Sequence, residues 1–297
     1  MTLRFIKLQA TGNDFILLDQ RSGEMPEDAL PTLTQSLCDR HFGVGGDGLL
    51  LVGNSASADF RMRMFNPDGT EDMCGNGLRC VVRYLMELGK TQEAHWRIET
   101  LVGTRQVSGS LVDGRARIAV NMGKPTFEPG LLPSLIDVNP IVDYPLKVEG
   151  ETFLVTSLST GTPHTCLFPS APVDDKTFFH VSPRIEQHRC FPERTSVLWV
   201  CPESADHLAL RIWERAVGET LACGTGACAA LVAAHLKGLT GRRARVQSRG
   251  GTLEVSWQDD DTLVKTGPAE IVFTGTLQDG RKTSRNESSR CRTDRSR

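Results

Sequence analysis

The chain has 297 residues, 39% of them apolar and 24% charged, with a formal net charge of −2. That length suits two domains of ordinary size, each with its own core. The near-neutral balance argues against a general nucleic-acid binder, which carries a basic face, and no apolar run approaches the ~18 residues of a membrane-spanning helix.

Met1-Thr-Leu-Arg-Phe-Ile-Lys7 alternates like a strand and lacks a signal peptide's apolar block, so a cytoplasmic location is expected. Phe15–Asp19 is a strand after the Thr11-Gly12-Asn13 turn. Leu30, Leu33 and Leu37 predict a helix over 26–42, opened by Pro26 and stopped by Gly43. Leu49–Val52 is a short buried strand. Phe60–Phe65 alternates and has one wet and one dry face. Asn66-Pro-Asp-Gly69 turns the chain into a helix over 74–88, closed by Gly89. A crossover is expected near Asn121–Thr126. The second half then repeats the plan. Helical segments fall in 174–189, strands at Ser196–Cys201 and Leu208–Trp213, and a helix over 226–237 closed by Gly238. That last helix is apolar all round, so it should run through a core. Ala269–Thr274 is the final strand.

The repeat has a fixed offset. Cys74-Gly-Asn-Gly77 and Cys223-Gly-Thr-Gly226 lie 149 residues apart, and so do Thr11-Gly-Asn13 and Thr160-Gly-Thr162, Gly69 and Gly218, and Gly89 and Gly238. The fold expected is α/β in the α+β sense, with two pseudo-symmetric domains. Each is a curled mixed sheet or small barrel around a central helix. The first spans 1–123 with a return strand at 269–279, and the second spans 124–268. Residues 280–297, with seven basic residues in 281–297 against Glu287 and Asp294, read as a disordered basic tail. Gly43-Val-Gly-Gly-Asp-Gly48 has the spacing of a dinucleotide motif, but it leaves a helix and opens a strand, the reverse of that motif's setting. It reads as a tight glycine turn.

Nine cysteines in a chain of this size, without Cys-x-x-Cys, suit neither a secreted disulfide scaffold nor a zinc knuckle. Cys38, Cys166, Cys190 and Cys201 read as small apolar fillers. Cys74 and Cys223 differ because each stands at a helix start. Free N–H groups there carry partial positive charge, and glycines let a ligand approach them. The result is an anion pocket whose field lowers a thiol's pKa. Two such starts facing each other would hold one carboxylate and place a sulfur on each side of its α-carbon. That arrangement suits racemisation or epimerisation: one cysteine removes the proton and the other returns it on the opposite face. No cofactor and no metal is called for.

At these residues the sequence resembles the diaminopimelate epimerase family, from Lys7 to about Thr274. The matching segments are Thr11–Phe15, Arg40–Gly45, Phe65–Gly69, Cys74–Gly77 with Arg79-Cys80, Phe191–Thr195, Glu214-Arg215, Gly218–Thr220 and Ala222–Ala229. The resemblance implies a cofactor-independent isomerase of lysine biosynthesis, a cleft between the two domains, and a homodimer. It implies that Cys74 and Cys223 are the acid/base pair and that His164 and Glu214 tune them. Asn13, Asn66, Gly75, Asn76, Gly224, Thr225, Glu214 and Arg215 would contact a small amino-acid substrate. Arg215 would take the distal carboxylate and Glu214 an ammonium group. Without the resemblance, His164 reads as a structural histidine and Glu214-Arg215 as a solvated charge pair. Two positions depart from the family: Thr162 and Ser196 stand where it has asparagine, in the part that recognises the distal centre. Gly48 stands where some members have glutamine. The alternatives are a related racemase for another amino acid, a thiol redox protein, or a silent binding protein on the same fold.

Overall fold

The computed structural model describes residues 2–278; the tail expected at 280–297 lies outside the described residues. The first half runs β1 (Thr2–Ala10), β2 (Asn13–Asp19), α1 (Leu30–Cys38), β3 (Gly48–Gly53), β4 (Phe60–Phe65), β5 (Glu71–Asp72), α2 (Gly75–Gly89), β6 (Glu93–Thr100), β7 (Gly103–Val112) and β8 (Arg115–Gly123). After β9 (Ile141–Val148) the series recurs as β10 (Glu151–Ser159), β11 (Pro163–Leu167), α3 (Asp175–Glu186), β12 (Ser196–Ser204), β13 (His207–Glu214), β14 (Gly218–Thr220), α4 (Gly224–Leu236), β15 (Arg243–Ser248), β16 (Gly251–Trp257) and β17 (Leu263–Gly267). The last strand is β18 (Glu270–Gln278).

Pairing repeats along with order. β2–β3 and β11–β12 are parallel, as are β4–β6 and β13–β15, while the hairpins around them are antiparallel. Parallel neighbours need a crossover, and α1, α2, α3 and α4 supply the four. β8 and β17 pair antiparallel where the halves meet, and β18 returns to pair with β1. Of the two shapes expected for each half, the curled mixed sheet is the one found. Among the described residues β9 pairs with β10 alone and β18 with β1 alone, so neither half closes into a barrel.

Each central helix is wrapped by its own sheet. α2 packs Leu78, Val82 and Met86 against Leu50, Met62 and Ile118. Along α4 every residue from Gly226 to Ala234 is buried, against Leu198, Leu210 and Val246. Small alanines let the strands approach α4 from all sides. α1 and α3 cover the outer faces with separate apolar clusters. The central helices touch each other, so their N-termini share one region between the halves.

Two expected boundaries move. The helix expected over 26–42 is a 3-10 turn at Glu27–Ala29 followed by α1, which ends at Cys38. Asp39 leaves helical geometry because its carboxylate accepts the N–H groups of His41 and Phe42, at 2.7 and 2.8 Å, in competition with the helix. α2 runs through Gly89, and the left-handed capping residue is Lys90, at φ 48°. In the second half the left-handed position does fall on Gly238, at φ 71°.

Candidate active site

Both Cys-Gly-x-Gly segments fold alike. Cys74 and Cys223 are the N-cap residues of α2 and α4, with φ/ψ of −131°/116° and −129°/115°. Each sulfur accepts the N–H of the third residue on, Gly77 or Gly226, at 3.4 Å. A cysteine thus fills the place that serine or aspartate usually holds, and the helix dipole bears on its sulfur. The second glycine of each motif packs on a leucine of the third strand. A Cβ on Gly77 would lie 2.7 Å from Leu50 Cδ2, and one on Gly226 3.1 Å from Leu198 Cδ2.

The two starts line one cleft of about 700 Å³ between the halves. Cys74, Gly75 and Asn76 form one wall, with Asn13 and Asn66. Cys223, Gly224 and Thr225 form the other, with Thr162, Ser196, Glu214 and Arg215. His164 is not on the cleft surface; it is fully buried behind Thr162.

Asn13 is held in one orientation. Its Nδ2 donates to Asp47 at 2.7 Å, so its Oδ1 faces the site, where it accepts from Asn76 Nδ2 at 3.3 Å and from the Cys74 thiol at 3.7 Å. Asp47 is fixed in turn by Arg40, which also bonds Asp14. Burial pushes the Asp14 carboxyl up, but hydrogen bonds from Arg40 and Lys7 outweigh it and hold the pKa at about 2. Sequence reading missed this support. The signal was Asp47 within the glycine turn 43–48, whose backbone N–H meets Asp14 O at 2.7 Å and so lies against β2.

The second wall carries a directed chain. Thr162 Oγ1 donates to Thr225 Oγ1 at 3.2 Å, so it accepts from His164 Nε2–H at 3.0 Å. The Cys223 thiol hydrogen-bonds the Glu214 carboxylate, which accepts, so the Thr225 hydroxyl donates to Cys223 Sγ at 3.4 Å. Three donors thus point in sequence at one sulfur. Burial, then the Arg215 charge, drive the His164 pKa down to about 3, so the ring stays neutral. Ser196 is also engaged: its hydroxyl accepts the backbone N–H of Arg215 at 3.1 Å, while the guanidinium donates to the Glu193 carbonyl at 3.2 Å. Gly48 has no room for a longer residue, since a Cβ there would lie 2.9 Å from both Met64 Cε and the Phe65 carbonyl.

The thiols are unequal. The helix fields were expected to bring both pKa values down, but burial outweighs them and raises both. For Cys74, the Gly77 and Asn76 amides and the Lys265 and Arg79 charges oppose that rise. For Cys223, the Glu214 charge and hydrogen bond add to burial, and Thr225 and Gly226 oppose it. The difference follows from the repeat. Asn66 stands one residue past the Phe65–Glu71 pair, and Glu214 one past Trp213–Glu219. The matching places hold an amide and a carboxylate, so Cys223 keeps its proton more tightly. Among the described residues no group of three or more His, Cys, Asp or Glu could hold a metal ion.

The sequence pattern of the diaminopimelate epimerase family matches residues 5–128 and 156–272. The chain belongs to that family. Diaminopimelate epimerase of Pelotomaculum thermopropionicum is 42% identical over 275 residues, which cover 92% of this chain and 98% of that one. The diaminopimelate epimerase of a Synechocystis species is 43% identical over 282 residues, covering 93% and 99%. The family fold extends to more distant solved structures. A hydroxyproline epimerase from Agrobacterium vitis superposes with a TM-score of 0.66 at 14% identity, covering 93% of this chain and 92% of that one. A phenazine biosynthesis protein of the PhzF family from Bacillus anthracis gives 0.65 at 19%, covering 94% and 99%. Those likenesses speak for the fold alone.

Proposed function

We propose that the protein is a diaminopimelate epimerase, an isomerase that interconverts the L,L and meso forms without an organic cofactor. The observation that carries this is the pair of cysteine N-caps, alike in backbone angles and sulfur contacts, lining one cleft. Family membership supplies the substrate class.

The α-carboxylate of the reacting centre lies between the starts of α2 and α4, held by N–H groups of Gly75-Asn76 and Gly224-Thr225. Cys74 as thiolate takes the α-proton from one face, and the electron pair left behind delocalises into the carboxylate. The oriented amides bear the developing charge. Cys223, kept protonated by burial and by Glu214, gives its proton to the opposite face. One proton is taken and one given, so the enzyme ends with the roles of the sulfurs exchanged. The Thr225 hydroxyl then donates to the new Cys223 thiolate, with Thr162 and neutral His164 behind it. In the reverse direction the sulfurs trade tasks.

At the far end of the cleft, Arg215 takes the distal carboxylate, for which a forked guanidinium is suited, and Glu214 meets an ammonium group. Asn13 and Asn66 contact the substrate from the first half. Thr162 and Ser196 line the same cleft as shorter hydroxyls. The same proposal carries the domain division at residue 123 with the return strand 269–279, a cytoplasmic location, and homodimeric assembly.

The test is exchange in heavy water. Reduced enzyme is incubated with L,L-diaminopimelate and with a panel of other amino acids, and α-deuterium is followed by mass spectrometry. Exchange and inversion of diaminopimelate support the proposal. Exchange confined to another amino acid moves the assignment to a related racemase, and none with any compound in folded, reduced protein overturns it.

A further inference from the structure

β17 alternates: Leu263, Lys265 and Gly267 are buried, and Val264 and Thr266 between them are not. A lysine therefore occupies an inward position of a core strand. Its side chain is fully buried, yet among the described residues its Nζ has no hydrogen-bond partner. Its place is defined by the two glycines it lies against. A Cβ on Gly75 would sit 2.7 Å from Lys265 Nζ, and one on Gly224 only 2.1 Å from it. These are the first residues of α2 and α4, so the ammonium rests at the meeting point of both helix starts, on the floor of the cleft.

Among the described residues, the groups whose charge bears on Lys265 are Arg79 and three cysteines, with no carboxylate among them. On the flanking strands, Lys265 is paired with Val120 of β8 and Val255 of β16. From α2 it meets Cys74 and the buried Arg79, and from α4 it meets Cys223 and Cys228. Arg79 is itself a cation whose Nη1 has no hydrogen-bond partner among the described residues. Two buried cations beside two helix N-termini are costly unless an anion arrives.

We propose that Lys265 is the shared counter-charge of the site, a positioning residue that serves whichever thiol is ionised and draws the reacting carboxylate to the helix starts. It rests on the two-thiol reading above. Because it stands against both Gly75 and Gly224, one ammonium can serve the two half-reactions, while the roles of the sulfurs exchange around it. Burial and the Arg79 charge bring its pKa down to about 8, so the counter-charge is present below that pH and lost above it.

The experiment uses Lys265→Met and Lys265→Gln in the full-length protein. Alkylation of Cys74 and Cys223 by iodoacetamide, a neutral reagent that reacts with the thiolate, is followed residue by residue between pH 6 and 10. At pH 7 to 7.5, where the parent carries the ammonium, loss of that charge should slow alkylation of both thiols about tenfold in both variants, and the difference should shrink above pH 9, where the parent lysine is neutral too. KM for the amino-acid substrate should rise about tenfold at pH 7. The melting temperature should equal or exceed that of the parent, since an unpaired buried charge has been removed. Unchanged alkylation rates at pH 7 to 7.5 in either variant, or variants that melt lower or do not fold, overturn the proposal and leave Lys265 a packing residue. Alkylation needs no substrate, so its outcome is separate from the heavy-water test. Slowed alkylation in an enzyme that inverts nothing would leave the counter-charge standing and remove the epimerase reading.

Discussion

Replacing Glu214 by glutamine isolates what makes the two thiols differ. The carboxylate lies beside Cys223 and adds to burial in raising that thiol's pKa, whereas the matching place on the Cys74 side is the amide Asn66. Two unit charges about 4 Å apart interact by ~4 kcal/mol at an effective dielectric of 20. At ~1.4 kcal/mol per pKa unit that sets a ceiling of about three units. Glu214 is partly exposed, so solvent screens the interaction, and a shift of one to two units is expected. Glutamine keeps the length and a polar contact, which confines the change to charge. The assay is residue-resolved iodoacetamide alkylation against pH. Cys223 should move down by one to two units and Cys74 by less than about half a unit. Turnover in the direction that needs protonated Cys223 should fall about tenfold, as the resting asymmetry is lost. A Cys223 midpoint that stays or rises, or a Cys74 shift of equal size, would show that Glu214 is not what sets the two thiols apart.

Ser196→Ala removes the hydroxyl that accepts the Arg215 N–H and should raise KM roughly fivefold to tenfold with little change in kcat, a loss of ~1 kcal/mol seen in steady-state kinetics. Thr225→Val cuts the donor chain at Cys223, so its thiol midpoint should rise by about one unit in the same alkylation assay. His164 gives a pH prediction. Its folded pKa of about 3 lies below the ordinary value of 6.5, so between those pH values the unfolded chain binds a proton that the folded one does not. Stability is thus full above pH 6.5 and falls by ~1.4 kcal/mol per unit as pH drops toward 3. Urea unfolding of His164→Gln between pH 6.5 and 4 should show a slope shallower by one proton, and an unchanged slope refutes it.

Much of the fold was legible because the chain states its plan twice. The 149-residue offset between the cysteine motifs is also the spacing between the starts of β1 and β10 and of α2 and α4. Glycine-rich helix starts and the all-apolar 226–237 segment are local signals, and local signals survive without tertiary information. The helix expected over 26–42 ran too long because Asp39 takes two backbone N–H groups that periodicity does not count. Gly89 drew the stop signal that Lys90 carries out. In the cleft, the motif residues could be named but their partners could not. Asp47 reaches Asn13 across 34 residues, and Lys265 reaches Gly75 across the join between the halves. His164, Thr162, Thr225 and Cys223 form a chain only because β11 and the start of α4 meet at one register. Thr162 and Ser196 read as shortened asparagines, but each has a structural hydrogen bond of its own.

In the proposed mechanism one sulfur works on each face of a single carbon. The direct measurement compares Cys74→Ala and Cys223→Ala with the parent, with folding checked by circular dichroism and inversion followed in heavy water. Each variant should lose inversion by a thousandfold or more, and the parent's first-formed product should carry one α-deuterium while recovered substrate carries none. Inversion at the parent rate in either variant, or deuterium returning equally to unreacted substrate, would rule out the two-sulfur mechanism.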